Sequence, residues 1–146
     1  MPLDRTLAII KPDATEKNLE GLILDIILKK GFTVRAMKQL RLTPYEAGIF
    51  YGVHAAKSWF GELCEFMSSG DIFVLVLEKE NAIASWREVL GATNPALASE
   101  GTIRHLYGTA LDRNICHGSD APDTAAFEIG FFFSGLECAR SSGKGR

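Results

Sequence analysis

Seven residues near the C-terminal end, Asn114-Ile115-Cys116-His117-Gly118-Ser119-Asp120, set an imidazole among groups that could use it. Histidine titrates near neutral pH and can serve as acid, base or nucleophile. Gly118 has no side chain to block a substrate approaching His117, and it can adopt backbone angles closed to other residues. On its own the stretch supports two readings: a reactive histidine, or a hydrogen-bonded histidine at a strand end followed by a turn and a helix cap at Asp120. Cys116 makes a poor thiolate partner, because neighbours on a strand point to opposite faces. His117, Ser119 and Asp120 resemble a compressed serine triad, but triads are usually assembled from distant segments and no oxyanion-hole motif accompanies this one. His54 and His105 add no zinc-ligand spacing.

Phosphate chemistry leaves a fainter trace. There is no GxxxxGK[ST] loop, and no GxGxxG follows an expected strand, so any phosphate must be held by side chains. The candidates are Lys11 at a strand end, Arg87 late in a helix, and Thr93, Arg104 and Asn114 in or beside a long irregular loop. Singly each reads as an ordinary solvated residue. Their weight lies in the combination.

The elements that must position them can be read from periodicity. Residues 6–10 are a short apolar run closed by Lys11-Pro12-Asp13, which favours a buried strand. Apolar residues recur at helical spacing over 17–30, and Lys29-Lys30-Gly31 supplies favourable dipole charge and a C-cap glycine. Residues 32–41 alternate as a half-buried strand. Thr43, Pro44 and Glu46 form a capping-box signature for a helix reaching Tyr51 or Val53, and a further helix covers 59–67. Residues 72–77 are apolar throughout, as in a central strand covered on both faces. A helix over 81–90 ends at Gly91, and residues 92–113 show little regular periodicity. A connection of about 20 residues is more often functional than idle. Residues 114–117 read as an edge or final strand, and a last helix starts with Asp120 as N-cap, carrying Ala126, Ile129 and Phe133 on one side. The pattern suggests an α+β or α/β sandwich.

Composition bounds the whole. The 146 residues are 47% hydrophobic and 23% charged, as expected of one globular domain over residues 1–140 with a small, polar, disordered tail at 141–146. The formal charge of −2 gives no reason to expect nucleic acid or an anionic membrane as the main partner. The odd number of cysteines, Cys64, Cys116 and Cys138, contains no CxxC pair and suits a reducing cytoplasm. Met1-Pro2-Leu3-Asp4-Arg5 lacks a basic n-region followed by an apolar h-region, and no apolar run approaches the roughly 20 residues that span a bilayer, so a soluble, unexported chain is expected.

Asn114-Ile115-Cys116-His117-Gly118-Ser119-Asp120 is similar to the N-x-x-H-G-S-D active-site signature of the nucleoside diphosphate kinases. Ile10-Lys11-Pro12-Asp13, Gly91-Ala92-Thr93-Asn94-Pro95 and Gly101-Thr102-Ile103-Arg104 follow that family's order at compatible spacing, so the resemblance runs from about Arg5 to Phe133. It implies a ferredoxin-like α+β sandwich, with a four-stranded antiparallel sheet covered by helices and a long loop before the active-site histidine that helps to form the nucleotide site. It also implies nucleoside tri- and diphosphates as substrates, Mg2+ held mainly through their phosphates rather than by protein ligands, and a homo-oligomer, tetrameric or hexameric.

By the same resemblance His117 takes up the γ-phosphate as a phosphohistidine and passes it to a diphosphate. Lys11 and Asn114 match residues that hold the ribose 3′-hydroxyl, with Lys11 also reaching phosphate, and Tyr51 matches a tyrosine beside the γ-phosphate. Arg87 and Thr93 match β-phosphate binders, and Arg104 adds positive charge. Glu128 matches the acid that fixes the histidine ring, steadied by Ser119. The base would stack on Trp59, where the family has phenylalanine, between Leu63 and Leu111; His105-Leu106 after Arg104 also departs from the family pattern. The competing reading is a nucleotide- or nucleic-acid-binding regulator of the same fold with little turnover.

Overall fold

The uninterrupted apolar run expected to be a core strand lies inside a four-stranded antiparallel sheet in the computed structural model, which describes residues 3–138. Strands β1 (Leu3–Ile10), β2 (Thr33–Leu40), β3 (Ile72–Glu80) and β4 (Cys116–Gly118) stand in the order β2-β3-β1-β4. The two central strands carry the buried sequences, as burial on both faces requires. Alternation then divides the core. Leu7, Ile9, Ile72, Val74 and Val76 face one side, and Ala8, Ile10, Leu75 and Leu77 face the other.

Each face has its own helices. Helices α2 (Glu20–Lys29) and α5 (Ala82–Leu90) bring Ile23, Ile27, Trp86 and Leu90 to the second face. The first face is covered by α3 (Pro44–Phe50), α4 (Phe60–Met67) and α7 (Pro122–Phe132), through Ala47, Phe50, Met67 and Phe132. The result is the ferredoxin-like α+β arrangement, with helices on both sides of a small sheet.

The local signals explain the boundaries. Thr43 and Glu46 complete the expected capping box of α3, and Gly31 and Gly91 end α2 and α5 with φ of +90° and +87°. At Gly91 an added Cβ would also lie 2.5 Å from the Thr102 hydroxyl.

Several expectations are corrected. The helix expected from residue 17 begins at Glu20, because Asn18 turns left-handed (φ +57°) after a separate turn of helix, α1 (Pro12–Thr15). The half-buried alternation of β2 breaks at a bulge between Val34 and Ala36. The aperiodic segment before His117 contains a 3₁₀ turn (Pro95–Leu97) and the short helix α6 (Ile103–Tyr107), both too short to register as periodicity. Ala121, not Asp120, is the N-cap of α7: its N–H donates to the Thr124 hydroxyl at 3.0 Å, and that hydroxyl donates back to the Ala121 carbonyl. Ala126 is exposed and Ala125 is buried in its place, whereas Ile129 and Phe133 do pack into the core, beside Phe132. The tail at 141–146 lies outside the described residues. No helix among the described residues is long and apolar enough to cross a membrane.

Candidate active site

His117 is the middle residue of β4, paired across the sheet with Ile9, so its ring emerges on the α3 and α7 face. There it meets Phe50 edge-on, ring centres 5.7 Å apart, and Tyr51 at 6.5 Å. Cys116 faces the other layer, fully buried, and burial pushes its thiol up to about 12. It has no place in the chemistry.

One turn of α7 supplies the partner. His117 Nε2 lies 2.8 Å from Glu128 Oε1, and the Ser119 hydroxyl donates to the same oxygen at 2.7 Å. Ser119 is itself fixed, accepting the Leu7 N–H at 3.1 Å. Burial alone would raise the Glu128 carboxyl, but the hydrogen bond and charge of His117 and the bond from Ser119 together bring it below the ordinary carboxylate range. An ionised carboxylate can only accept, so Nε2 carries the proton and, in the neutral ring, Nδ1 carries the lone pair.

A second constellation forms where β1 ends. Lys11 Nζ donates to Asn114 Oδ1 at 2.8 Å, and the Asn114 amide donates to the carbonyls of Thr93 and Leu111 at 2.9 and 3.0 Å. Burial, reinforced by the Arg104 charge, lowers the Lys11 ammonium to about 8, against the pull of Asp13, Cys116 and Asp112. Arg104 is buried and donates to the carbonyls of Asn114, Gly91 and Cys116 at 3.2, 3.0 and 2.7 Å. It therefore staples the loop to β4, with two of its five donors beyond these bonds. Arg87, Thr93 and Arg104 line an open groove of about 760 Å³, along with Asp120, which pairs with Arg87 at 2.7 Å.

The expected base walls are more scattered. Trp59 is 45% exposed beside His54 and beneath the Lys57 ammonium, and Leu111 is 62% exposed. Leu63 instead packs against the core. Tyr51 is buried, its hydroxyl has no hydrogen-bond partner among the described residues, and burial raises it above the ordinary phenol range.

One residue was misread by sequence reasoning, and two, Ile115 and Asp13, were given no role by it. Gly118 proves to be small for Trp86, not for substrate: a Cβ there would lie 2.7 Å from the indole, whose Nε1 donates to the His117 carbonyl at 3.0 Å. Ile115, a β-branched residue, is buried at φ +78°, in a strained γ-turn closed by Cys116 N–H donating to the Asn114 carbonyl at 2.9 Å. That turn delays β4 until Cys116. Asp13 accepts the Ile115 N–H at 3.0 Å. The Lys-Pro-Asp sequence was the only visible sign of it.

The family model for nucleoside diphosphate kinase matches residues 4–138. The nucleoside diphosphate kinase of Pelobacter propionicus is 56% identical over 92% of this chain and 98% of its own, and that of Geotalea uraniireducens is 55% identical over the same shares. Among solved structures, the Aquifex aeolicus nucleoside diphosphate kinase superposes with a TM-score of 0.91 at 47% identity, covering 93% of this chain and 99% of that one. A halophilic nucleoside diphosphate kinase from Halobacterium salinarum, in complex with CDP, gives 0.88 at 35% identity, covering 92% and 90%. The chain belongs to the nucleoside diphosphate kinase family. Its reaction is the transfer of the γ-phosphate of a nucleoside triphosphate to a nucleoside diphosphate.

Proposed function

We propose that the transfer runs through His117, and the bond from Nε2 to Glu128 at 2.8 Å carries this reading. With that nitrogen held, Nδ1 attacks the γ-phosphorus. A P–N bond forms as the bond to the bridging oxygen breaks, and the nucleoside diphosphate leaves with the electron pair. In the second half a terminal oxygen of the acceptor diphosphate attacks the phosphohistidine, and the P–N pair returns to Nδ1. Glu128 stabilises the ring as it gains positive character, and Ser119 keeps that carboxylate aimed.

The remaining roles concern charge and placement. Lys11, Arg87 and Arg104 would neutralise the phosphates, with Thr93 and the unpartnered Tyr51 hydroxyl offering hydrogen bonds, since phosphoryl transfer asks mainly for positioning and electrostatic stabilisation. Lys11 and Asn114, already bonded to each other, would take the ribose 3′-hydroxyl. Trp59, with Leu63 and Leu111, would receive the base, and stacking on an indole face tolerates different bases. Mg2+ would suit this site as a passenger of the nucleotide, because the cations Lys11, Arg87 and Arg104 outnumber the carboxylates of Glu88 and Asp120 along the loop and groove. The chemistry it would supply is neutralisation of phosphate charge beside these cations.

The same reading makes residues 1–140 one catalytic domain that works as a tetramer or hexamer. The outer edge of β2 and the exposed Leu22, Leu28 and Met37 support association. Three buried free thiols suit a reducing cytoplasm. Incubation with γ-labelled ATP should place acid-labile label on the wild-type protein, chased off by an unrelated diphosphate and absent from His117→Asn. Undiminished turnover in that variant contradicts the reading.

A further inference from the structure

We propose that Asp13 is a positioning residue for the transfer: its carboxylate holds the strained turn at Ile115 from which both Asn114 and His117 are set. The inference rests on the phosphohistidine reading above.

Three hydrogen bonds from backbone N–H groups converge on this turn. Lys11 N–H donates to the Ile115 carbonyl at 2.8 Å, Ile115 N–H donates to Asp13 Oδ2 at 3.0 Å, and Cys116 N–H closes the turn on the Asn114 carbonyl at 2.9 Å. The segment 11–13 thus grips Ile115 by both its polar groups. A φ of +78° is unfavourable for a β-branched residue, so without an acceptor for its buried N–H the turn loses the bond that offsets its strain. Relaxation there swings the chain on either side. Asn114 lies immediately before it, with its amide spanning Lys11, Thr93 and Leu111, and His117 lies two residues after.

The manner of the bond points to function rather than stability. Asp13 is 5% exposed, its Oδ1 is buried without a partner among the described residues, and burial raises its carboxyl above the usual range. A half-satisfied buried carboxylate is an expensive way to accept one N–H. It faces Lys11 from the end of β1, Arg113 from the loop and Cys116 from β4, and Lys11 in turn faces Arg104 and Asp112. A carboxylate there also favours the protonated Lys11. Local rules are broken most often where a site must be held in shape.

The test compares wild type, Asp13→Asn and Asp13→Ala in rapid-quench labelling with γ-labelled ATP, with ADP affinity and melting measured alongside. Asn keeps an acceptor for the Ile115 N–H and Ala does not. Asp13→Ala should slow labelling by about 100-fold, as expected when a reacting group is displaced, with ADP affinity changing much less. Asp13→Asn should stay within about tenfold of wild type, with the Ile115 amide still protected from hydrogen exchange. Placing Ile115→Gly on Asp13→Ala should restore part of the rate, since glycine reaches φ +78° without strain. Wild-type labelling by Asp13→Ala overturns the proposal, as does an Asn variant as slow as Ala. If Asp13→Ala does not fold, Asp13→Asn decides: a retained rate with a protected amide supports the account, and an equally large loss overturns it. No label on the wild-type protein removes the phosphohistidine reading and this one together, whereas label at equal rates on wild type and Asp13→Ala removes only this one.

Discussion

Glu128 Oε1 accepts His117 Nε2 at 2.8 Å while receiving the Ser119 hydroxyl at 2.7 Å, so a single carboxylate oxygen fixes both the rotation and the tautomer of the ring. The nitrogen left free is a consequence of α7 docking on the sheet, nine to eleven positions beyond the residues it serves.

Glu128→Gln replaces an acceptor that stabilises the imidazolium with a neutral amide. We expect kcat to fall by about 10–100-fold with KM nearly unchanged, because the ring interaction strengthens only as charge develops. Steady-state kinetics at saturating donor and acceptor check it. A rise in KM at constant kcat would place Glu128 in nucleotide binding instead.

Lys11 should give the free enzyme an alkaline limb near pH 8, because burial and then the Arg104 charge lower its ammonium to that value. Bound phosphate favours the charged form, so the limb in kcat should lie higher than the limb in kcat/KM. Lys11→Arg, which stays charged, should remove it. The unfolded chain keeps this proton to about 10.5, so it binds more protons than the native state between 8 and 10.5 and stability from this group rises with pH across that window. Denaturant melts at several pH values, in wild type and Lys11→Arg, test the sign.

Gly118→Ala would set a methyl 2.7 Å from the Trp86 ring and 3.1 Å from Leu90. Overpacking of this kind costs about 1–3 kcal/mol. Because Trp86 Nε1 also holds the His117 carbonyl, both melting temperature and kcat should fall. A variant with wild-type stability and lowered activity would return Gly118 to the substrate side.

Arg87 and Asp120 form an ion pair at 2.7 Å with 48% and 76% of their side chains exposed. Such pairs are worth about 0–1 kcal/mol. Asp120→Asn should leave the melting temperature almost unchanged, and Arg87→Ala should raise KM for diphosphates more than it lowers stability. A large loss of stability in either variant would contradict this assignment.

Local chemistry made much of the frame legible. The Thr43 to Glu46 box, Gly31, Gly91 and the apolar run of β3 act within a few residues, so composition and spacing reveal them. Contacts across the fold left no such trace. Asp4 accepts the first N–H of α5 from 78 positions away, where Asn81 adopts left-handed angles and offers no side-chain cap. The grip of Asp13 on Ile115 spans 102 positions, and Trp86 reaches His117 across 31. His117, Glu128 and Ser119, grouped by resemblance, lie within hydrogen-bond distance of one another, whereas the surroundings of Gly118 and Asp120 depended on neighbours that only folding supplies.

In the proposed transfer His117 reacts through Nδ1 because Glu128 occupies Nε2. Phosphorus NMR of the phosphorylated protein, denatured in alkali so that the two isomers are compared free of the site, measures it directly. The account predicts a single phosphohistidine resonance at the Nδ1 position, absent from His117→Asn. A resonance at Nε2, or phosphate on any other residue, would contradict it.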